Sequence, residues 1–456
     1  MKYLAIAPLF MLLLACSSAD QATQQSASQV STSEGPQFFA RANYQIDDDL
    51  NTILVVHLSL QDNSIITSYA DGQASQRFEF SVRISDETGN TVFSDKQVIS
   101  LDTDEIGRNS QIQKKVPVPH GAYNAEVTVT DKSNNNSNTV ALYKEIPNLE
   151  EETIILSNVI VSTVEDTLSS VQGDTVNIQY QLVNRSDQEL SVYARLYQIS
   201  TDNQLPRRMG LRSPSRGSIQ FQGIDLTDRT LLESDNYTID YGDYVQTKSL
   251  SLDIEETGYF VVRVTVEDDN REVLASNEES FTYFGQSFPY VNTVKDMADA
   301  LFYLMTRSEY RNLLAAETEE DMKQKMDQFW LSNIEDRAQA AEVINLYFTR
   351  VEQANRFFSG YKQGWMTDKG YVYILFGAPM YIEKYFDRET WVYGPNRYTD
   401  NTVFQFRRGQ VRSSIYDHSH YILERRGHSF TNNYEAIEYD RISEWLSGYI
   451  LRKRDY

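Results

Sequence analysis

Apolar and polar residues alternate in short runs from residue 37 to 148. Thr52 to Leu60 and Phe78 to Ile84 read as half-buried strands, since successive side chains on a strand point to opposite faces. Asp86-Glu87-Thr88-Gly89-Asn90 reads as a hairpin turn, and Thr91 to Ser100 as the returning strand. Gly121-Ala122-Tyr123 leads into another strand that ends at Asp131. With turn signals roughly every eight to twelve residues, the segment is expected to be a β-sandwich of immunoglobulin type. Beyond the acidic joint Leu149-Glu150-Glu151-Glu152-Thr153 the same pattern returns over 149–288, with strands at Val176 to Val183, Leu190 to Ile199 and Phe260 to Val266. Gly258-Tyr259 running on to Asp268 repeats the Gly121 to Asp131 pattern, so a second sandwich in tandem is the economical reading. Leu205 to Gly217, with Arg207, Arg208, Arg212 and Arg216, is a basic loop in an acidic segment. It reads as solvated, the alternative being capture of a carboxylate-bearing partner.

After Pro289 the period changes to that of a helix, with Val294, Met297, Leu301, Leu304 and Met305 recurring at helical spacing. Thr318 followed by Asp321 opens a helix like a capping box, and Met322, Met326, Phe329 and Trp330 line its apolar face. A longer helix is expected over 335–358, with Ala341, Ile344, Phe348, Val351 and Phe358 inward. Thr367-Asp368-Lys369-Gly370 then reads as a turn and Tyr371 to Phe376 as a strand of β-branched and aromatic types, stopped by Gly377-Ala378-Pro379. Further strands follow at Trp391 to Tyr393, Thr402 to Arg407, Ser414 to Tyr416 and Tyr421 to Arg425, and a closing helix at Tyr434 to Leu451. The fold class is therefore multidomain: two tandem all-β immunoglobulin-like sandwiches, 37–148 and 149–288, followed by an α+β C-terminal domain, 289–456.

Gly364-Trp365-Met366-Thr367-Asp368 resembles the signature of the GWxTD-domain family, matching every fixed position. Gly370, Gly377, Pro379 and the later Trp391-Val392-Tyr393 fit as well. The family is essentially uncharacterised, and no catalytic residue comes with the resemblance. As a binding surface, the C-terminal domain would present Gly364, Trp365, Thr367, Asp368, Gly370, Gly377, Pro379, Trp391 and Tyr393. Burial of Trp365 and Trp391 in a filled core would instead make the signature structural and move any partner surface elsewhere.

The N-terminus changes the picture of where the chain works. Lys2, the apolar run Leu4 to Leu14 and Leu13-Leu14-Ala15-Cys16 read as a lipoprotein signal peptide over 1–15, with Cys16 as the lipidation site. Cys16 is the only Cys in the chain, so disulfides do not account for it. Residues 16–36, rich in Ser, Gln, Ala and Thr, read as a flexible tether. The expected place is the cell envelope, lipid-anchored; Ser17 after Cys16, in place of a retaining Asp, favours the outer membrane.

Composition narrows the function. The net charge of −23 opposes nucleic-acid binding, which needs Lys and Arg clusters on phosphates. Metal chemistry has its best residues in His418 and His420, on one face of a strand with His428, Asp417 or Glu424 nearby, but the spacing matches no standard ligand set. Asp368, Glu383, Asp387 and Glu389 offer carboxylates without a visible acid–base pairing, and there is no nucleophile elbow or phosphate loop. No cofactor is implied. The leading expectation is a non-enzymatic scaffolding or binding role, with the membrane through the lipid anchor and an envelope protein or glycan as partners. The alternative is an extracytoplasmic hydrolase of envelope or extracellular polymers.

Overall fold

The computed structural model of the chain describes residues 27–30, 36, 38–47, 49–60, 75–102, 111–133, 135–162, 170–171, 175–209, 224–385, 388–393, 403–408, 420–425 and 434–449. The first segment holds β1 (Ala27–Val30), β2 (Phe38–Ile46), β3 (Thr52–Leu60), β4 (Ser75–Asp86), β5 (Thr91–Asp102), β6 (Gln111–Pro117), β7 (Gly121–Asp131) and β8 (Ser137–Ile146). They form two antiparallel sheets, β1-β2-β3-β6 and β5-β4-β7-β8. Phe38, Tyr44, Leu54 and Val56 of one sheet meet Phe78, Phe80, Val127 and Leu142 of the other in one apolar core. β1 corrects the reading of 16–36 as wholly flexible: Ala27 to Val30 pairs with Phe39 to Ala42. The open edge of β2 offers backbone donors and acceptors that a polar segment can use without burying large side chains.

The second segment holds β9 (Ile154–Leu156), β10 (Ile160–Ser162), β11 (Ser170–Val171), β12 (Thr175–Asn184), β13 (Leu190–Thr201), β14 (Ile224–Ile239), β15 (Gly242–Asp253), β16 (Gly258–Glu267) and β17 (Val273–Tyr283). One sheet runs β10-β12-β15, with β9 also on β12, and the other β11-β17-β16-β13-β14. Ile178, Tyr180 and Leu252 pack against Val192, Phe260, Val264 and Phe281. The repeat seen in the sequence is a hairpin device. Asp86 and Asp268 each accept backbone N–H bonds from two and four residues on, at 2.8 to 3.0 Å, and Asp131 accepts one from Ser133 at 2.8 Å.

The two β segments interlock. Arg41 on β2 pairs with Glu279 on β17. The Tyr44 hydroxyl donates to the Leu156 carbonyl at 3.0 Å, the Tyr44 N–H to Asn158 Oδ1 at 3.0 Å, and the Ile46 N–H to Gln181 Oε1 at 2.8 Å. Ile155 and Val183 join the core of the first segment.

The C-terminal part holds α1 (Val294–Ala300), α2 (Arg307–Leu314), α3 (Glu319–Asn333), α4 (Arg337–Phe358), α5 (Asp368–Phe376), β18 (Tyr381–Lys384), β19 (Arg388–Val392), β20 (Val403–Arg408), β21 (Tyr421–Leu423) and α6 (Tyr434–Leu446). The strands form one antiparallel sheet in sequence order. Thr318 caps α3 by accepting from the Asp321 N–H. The inward face of α4 carries Phe348 and Val351 as expected, with Ile344 and Phe358 partly buried against the core; Val343, Tyr347 and Ala354 join them, and Ala341 is exposed instead. Tyr347 brings the larger apolar area and its hydroxyl reaches the Ala300 carbonyl at 2.6 Å.

Tyr371 to Phe376, expected as a strand, is helix α5, and Thr367 to Gly370 is its start rather than a hairpin turn. Thr367 is the N-cap, its Oγ1 accepting from the Gly370 N–H at 3.0 Å. At the far end the Leu375 carbonyl accepts from Arg441 Nε at 2.7 Å, Trp445 Nε1 at 3.0 Å and Arg350 Nη1 at 3.3 Å. An acidic residue in the first turn and two guanidinium groups at the last match the helix dipole. These end contacts, with burial of most of its length, outweigh the strand preference of its side chains. Among the described residues no helix is long and apolar enough to cross a membrane.

Candidate functional site

The signature is a packing joint between α4, α5 and the sheet. Gly364-Trp365-Met366 forms a single 3₁₀ turn lying against α4. A Cβ on Gly364 would overlap the Ala354 carbonyl, and one on Gly370 the Gly364 carbonyl, so both backbones touch where only glycine fits. Thr367 Oγ1 donates to the Gly364 carbonyl at 2.7 Å while capping α5. Asn355 of α4 accepts from the Trp365 N–H at 3.1 Å and donates to the Pro289 carbonyl at 3.1 Å. The Tyr303 hydroxyl donates to the Trp365 carbonyl. Trp365 is 8% exposed and Trp391 fully buried. Trp391 packs against Phe358 and Phe406, and the Trp365 indole donates to Gln363 at 2.7 Å. Gly377 takes φ +78° at the end of α5, and its carbonyl accepts from the Tyr393 hydroxyl at 2.8 Å; Pro379 is buried beyond it.

The charged residues of the joint are paired with each other. Asp368 accepts from Arg425 Nη2 at 2.9 Å and from the Leu423 N–H at 2.8 Å, tying α5 to β21. Lys369 meets Glu389 of β19 at 2.8 Å with both side chains buried, and its ammonium lies 3.5 Å from the Tyr421 ring centre. Glu438 of α6 accepts from the Tyr371 hydroxyl, from Arg208 Nη1 at 3.3 Å and from the Met209 N–H at 3.0 Å. Arg208 also donates to the carbonyls of Phe302, Tyr303 and Met305 at 2.7 to 3.2 Å. Lys362 pairs with Asp202 at 3.3 Å. Burial, reinforced by Glu438, holds the Tyr371 hydroxyl well above its ordinary pKa.

The joint thus reaches back into the second β segment through residues 202–209. Within the basic loop, Arg208 has the carboxylate-bearing partner expected as the alternative, supplied by the chain's own α6, and Met209 is buried in the C-terminal core. Arg212 and Arg216 lie outside the described residues. Arg208, Arg425, Glu389 and Glu438 were not singled out as a constellation by spacing, because their partners are far away in sequence. The run Arg207-Arg208 was the available signal.

The other expected sites fall differently. Cys16, His418, His428 and Asp417 lie outside the described residues. His420 stands with its Nε2 3.2 Å from the Tyr361 hydroxyl. Burial, helped by Lys362, lowers its pKa to about 4. Among the described residues no three His, Cys, Asp or Glu side chains converge as a metal set. The signature residues come together as expected of one motif, but as the inside of a joint. Asp368, Glu389 and Glu438 each accept from a cation, an arrangement that fixes elements against one another.

An α+β module of helices, antiparallel sheet and closing helix, its α4, α5 and sheet joined at a buried Gly-Trp-x-Thr-Asp turn, is the class that this geometry defines. Residues 264–447 match the family model described as GWxTD domain. The match begins inside β16 and so takes in the end of that strand and all of β17. Among curated proteins, none matches the sequence. Solved structures with local likeness include a Pseudomonas fluorescens alkylpurine DNA glycosylase AlkC bound to DNA containing an abasic site analog, 14% identical over 29% of this chain and 31% of that one, with a TM-score of 0.19. A red sea bream transglutaminase is 8% identical over 58% and 32%, with a TM-score of 0.16. A Bacteroides uniformis beta-glucuronidase is 12% identical over 51% and 26%, with a TM-score of 0.20. The chain spans about a third or less of each of these structures, and scores this low say nothing of what it does.

Proposed function

We propose that the chain is a non-enzymatic lipoprotein of the cell envelope with a scaffolding or binding role, anchored through Cys16 and placed at the outer membrane. In this reading two immunoglobulin-like sandwiches form a spacer, and the GWxTD domain is the module they hold in place. The observation that carries the reading is the closure of Asp368, Lys369, Glu389 and Glu438 into internal pairs. A signature spent on holding the C-terminal helices and sheet together leaves partner recognition, protein or glycan, to surfaces outside it. No cofactor and no nucleic acid enters this reading. The competing hydrolase reading needs an acid–base pair, and the carboxylates nearest the signature are engaged.

Two measurements test it. Cys16→Ser should move the protein from the membrane fraction to the soluble one, and the wild-type amino terminus should carry acyl mass. Purified chain incubated with envelope and extracellular polysaccharides should release no new reducing ends. Release that disappears in a folded Asp368→Asn variant would establish the hydrolase instead.

A further inference from the structure

Outer strands of the β domains carry charges on their core-facing side. Lys144 on β8 alternates with buried Leu142 and Ile146, and its ammonium lies 5.3 Å from the Tyr44 ring centre. Lys248 on β15 is in register with core Tyr180 and lies 4.4 Å from the Tyr237 ring centre. Glu279 on β17 shares the alternation of core residues Phe281 and Tyr283. Inward charges at an edge discourage pairing with a wrong neighbour. The Glu279 carboxylate is answered by Arg41, an arginine reaching in from a strand of the other domain.

β14 has the same device without the answer. It runs for 16 residues, pairs with β13, and meets no other strand among the described residues. Glu233 and Asp235 lie in register with Leu196 and Ala194, both core residues, and cross-strand partners share a face. Yet both carboxylates are exposed, as is every residue from Thr230 to Asn236, and neither has an ion-pair partner among the described residues. Asp228 adds a third exposed carboxylate, and the nearby Arg229 is taken by Glu278 at 3.2 Å. Leu231 and Leu232 stand exposed beside them at 51% and 47%.

We infer that the open edge of β14 receives an extended, cationic segment of a partner protein, added as a further strand with Lys or Arg at alternate positions over Glu233 and Asp235. Backbone pairing supplies the attachment, the carboxylates select the charge, and Leu231, set on the opposite face by the bulge at Leu232, offers an apolar contact. A second copy is disfavoured, because two β14 strands would set like carboxylates against each other. The chain's net charge of −23 steers a cationic segment inward and repels acidic ones. The inference rests on the binding role proposed above and is independent of the lipid anchor.

The test titrates the full chain, at low salt, with two short labelled peptides, one alternating Arg with Thr and one with Glu in place of Arg. The Arg peptide should bind at least about tenfold more tightly. It should slow amide exchange over residues 230–236, and a Glu233→Gln, Asp235→Asn double variant should bring the two peptides to near parity. These side chains are exposed, and circular dichroism checks that the variant is folded. Parity in the wild type, an unchanged preference in the variant or protection mapping elsewhere overturns the inference. So does protection of β14 that appears on raising protein concentration alone, which marks a second copy. Any of these results leaves the membrane and polysaccharide tests standing on their own.

Discussion

Glu438 is where the second β segment, α5 and α6 meet, and its removal gives the sharpest prediction. Glu438→Ala leaves the Tyr371 hydroxyl and the Met209 N–H buried without their acceptor. Each loss costs about 1–3 kcal/mol. Arg208 is not stranded, because the carbonyls of Phe302, Tyr303 and Met305 still accept from it. The total is roughly 2–6 kcal/mol, centred on the range for breaking one side of a buried pair. All four Trp residues, Trp330, Trp365, Trp391 and Trp445, lie in the C-terminal domain, so indole fluorescence reports on that domain while far-UV circular dichroism follows the β segments as well. With a urea slope of about 2 kcal/mol per molar, the fluorescence midpoint should fall by roughly 2 M and separate from the later β transition. Glu438→Gln, which keeps an acceptor, should fall by less than half as much. Lys295→Ala, which removes an exposed pair with Asp299, is the control and should stay within about 0.5 kcal/mol. A Glu438→Ala midpoint no lower than that control would refute the view that this joint holds the domain.

Three more expectations follow from the same contacts. Gly364→Ala should cost about 3 kcal/mol or more in the same fluorescence assay, since its methyl group must displace the Ala354 carbonyl; a variant as stable as wild type would mean that α4 and the turn separate freely. Arg41→Ala should cost about 3–5 kcal/mol by taking the Arg41 cation away from the buried Glu279 carboxylate, read as an earlier dichroism transition; an unchanged transition would show that this pair contributes nothing. Acidification should destabilise the chain. Burial, aided by Arg41 and Lys115, lowers His57 from 6.5 to about 3, and burial lowers His420 to about 4. The fold therefore favours the neutral rings, so their contribution is complete above about pH 6.5 and is lost as pH falls from there towards the folded values. The urea midpoint should decline over that window, with a shallower decline in His57→Gln; a midpoint that rises on acidification would contradict the assignment.

The β strands were legible because one face of an antiparallel sheet meets water and the alternation survives in the sequence, as β7 and β8 display. Thr318 was legible as a cap for a similar reason: the bond it makes is local. Tyr371 to Phe376 misled, because a short run of apolar, β-branched and aromatic residues suits a buried helix as well as a strand. The signs that decide it, Thr367 and Asp368 before the run and Gly377 after it, were in view but read as turn residues. The pairs Asp368–Arg425, Lys369–Glu389 and Arg208–Glu438 join residues 57, 20 and 230 positions apart, distances over which periodicity carries no information.

Both junctions described above are bridged by an arginine that leaves its own segment and ends in the next: Arg41 on Glu279, and Arg208 on Glu438 and the end of the α1 region. A pull on the C-terminal part should therefore load Arg208 together with the Lys362–Asp202 pair, and pass on to the first strands through Arg41 and the Tyr44 bonds. The molecule should transmit tension like a jointed bar with its pins in, yielding at a salt bridge before a strand unzips.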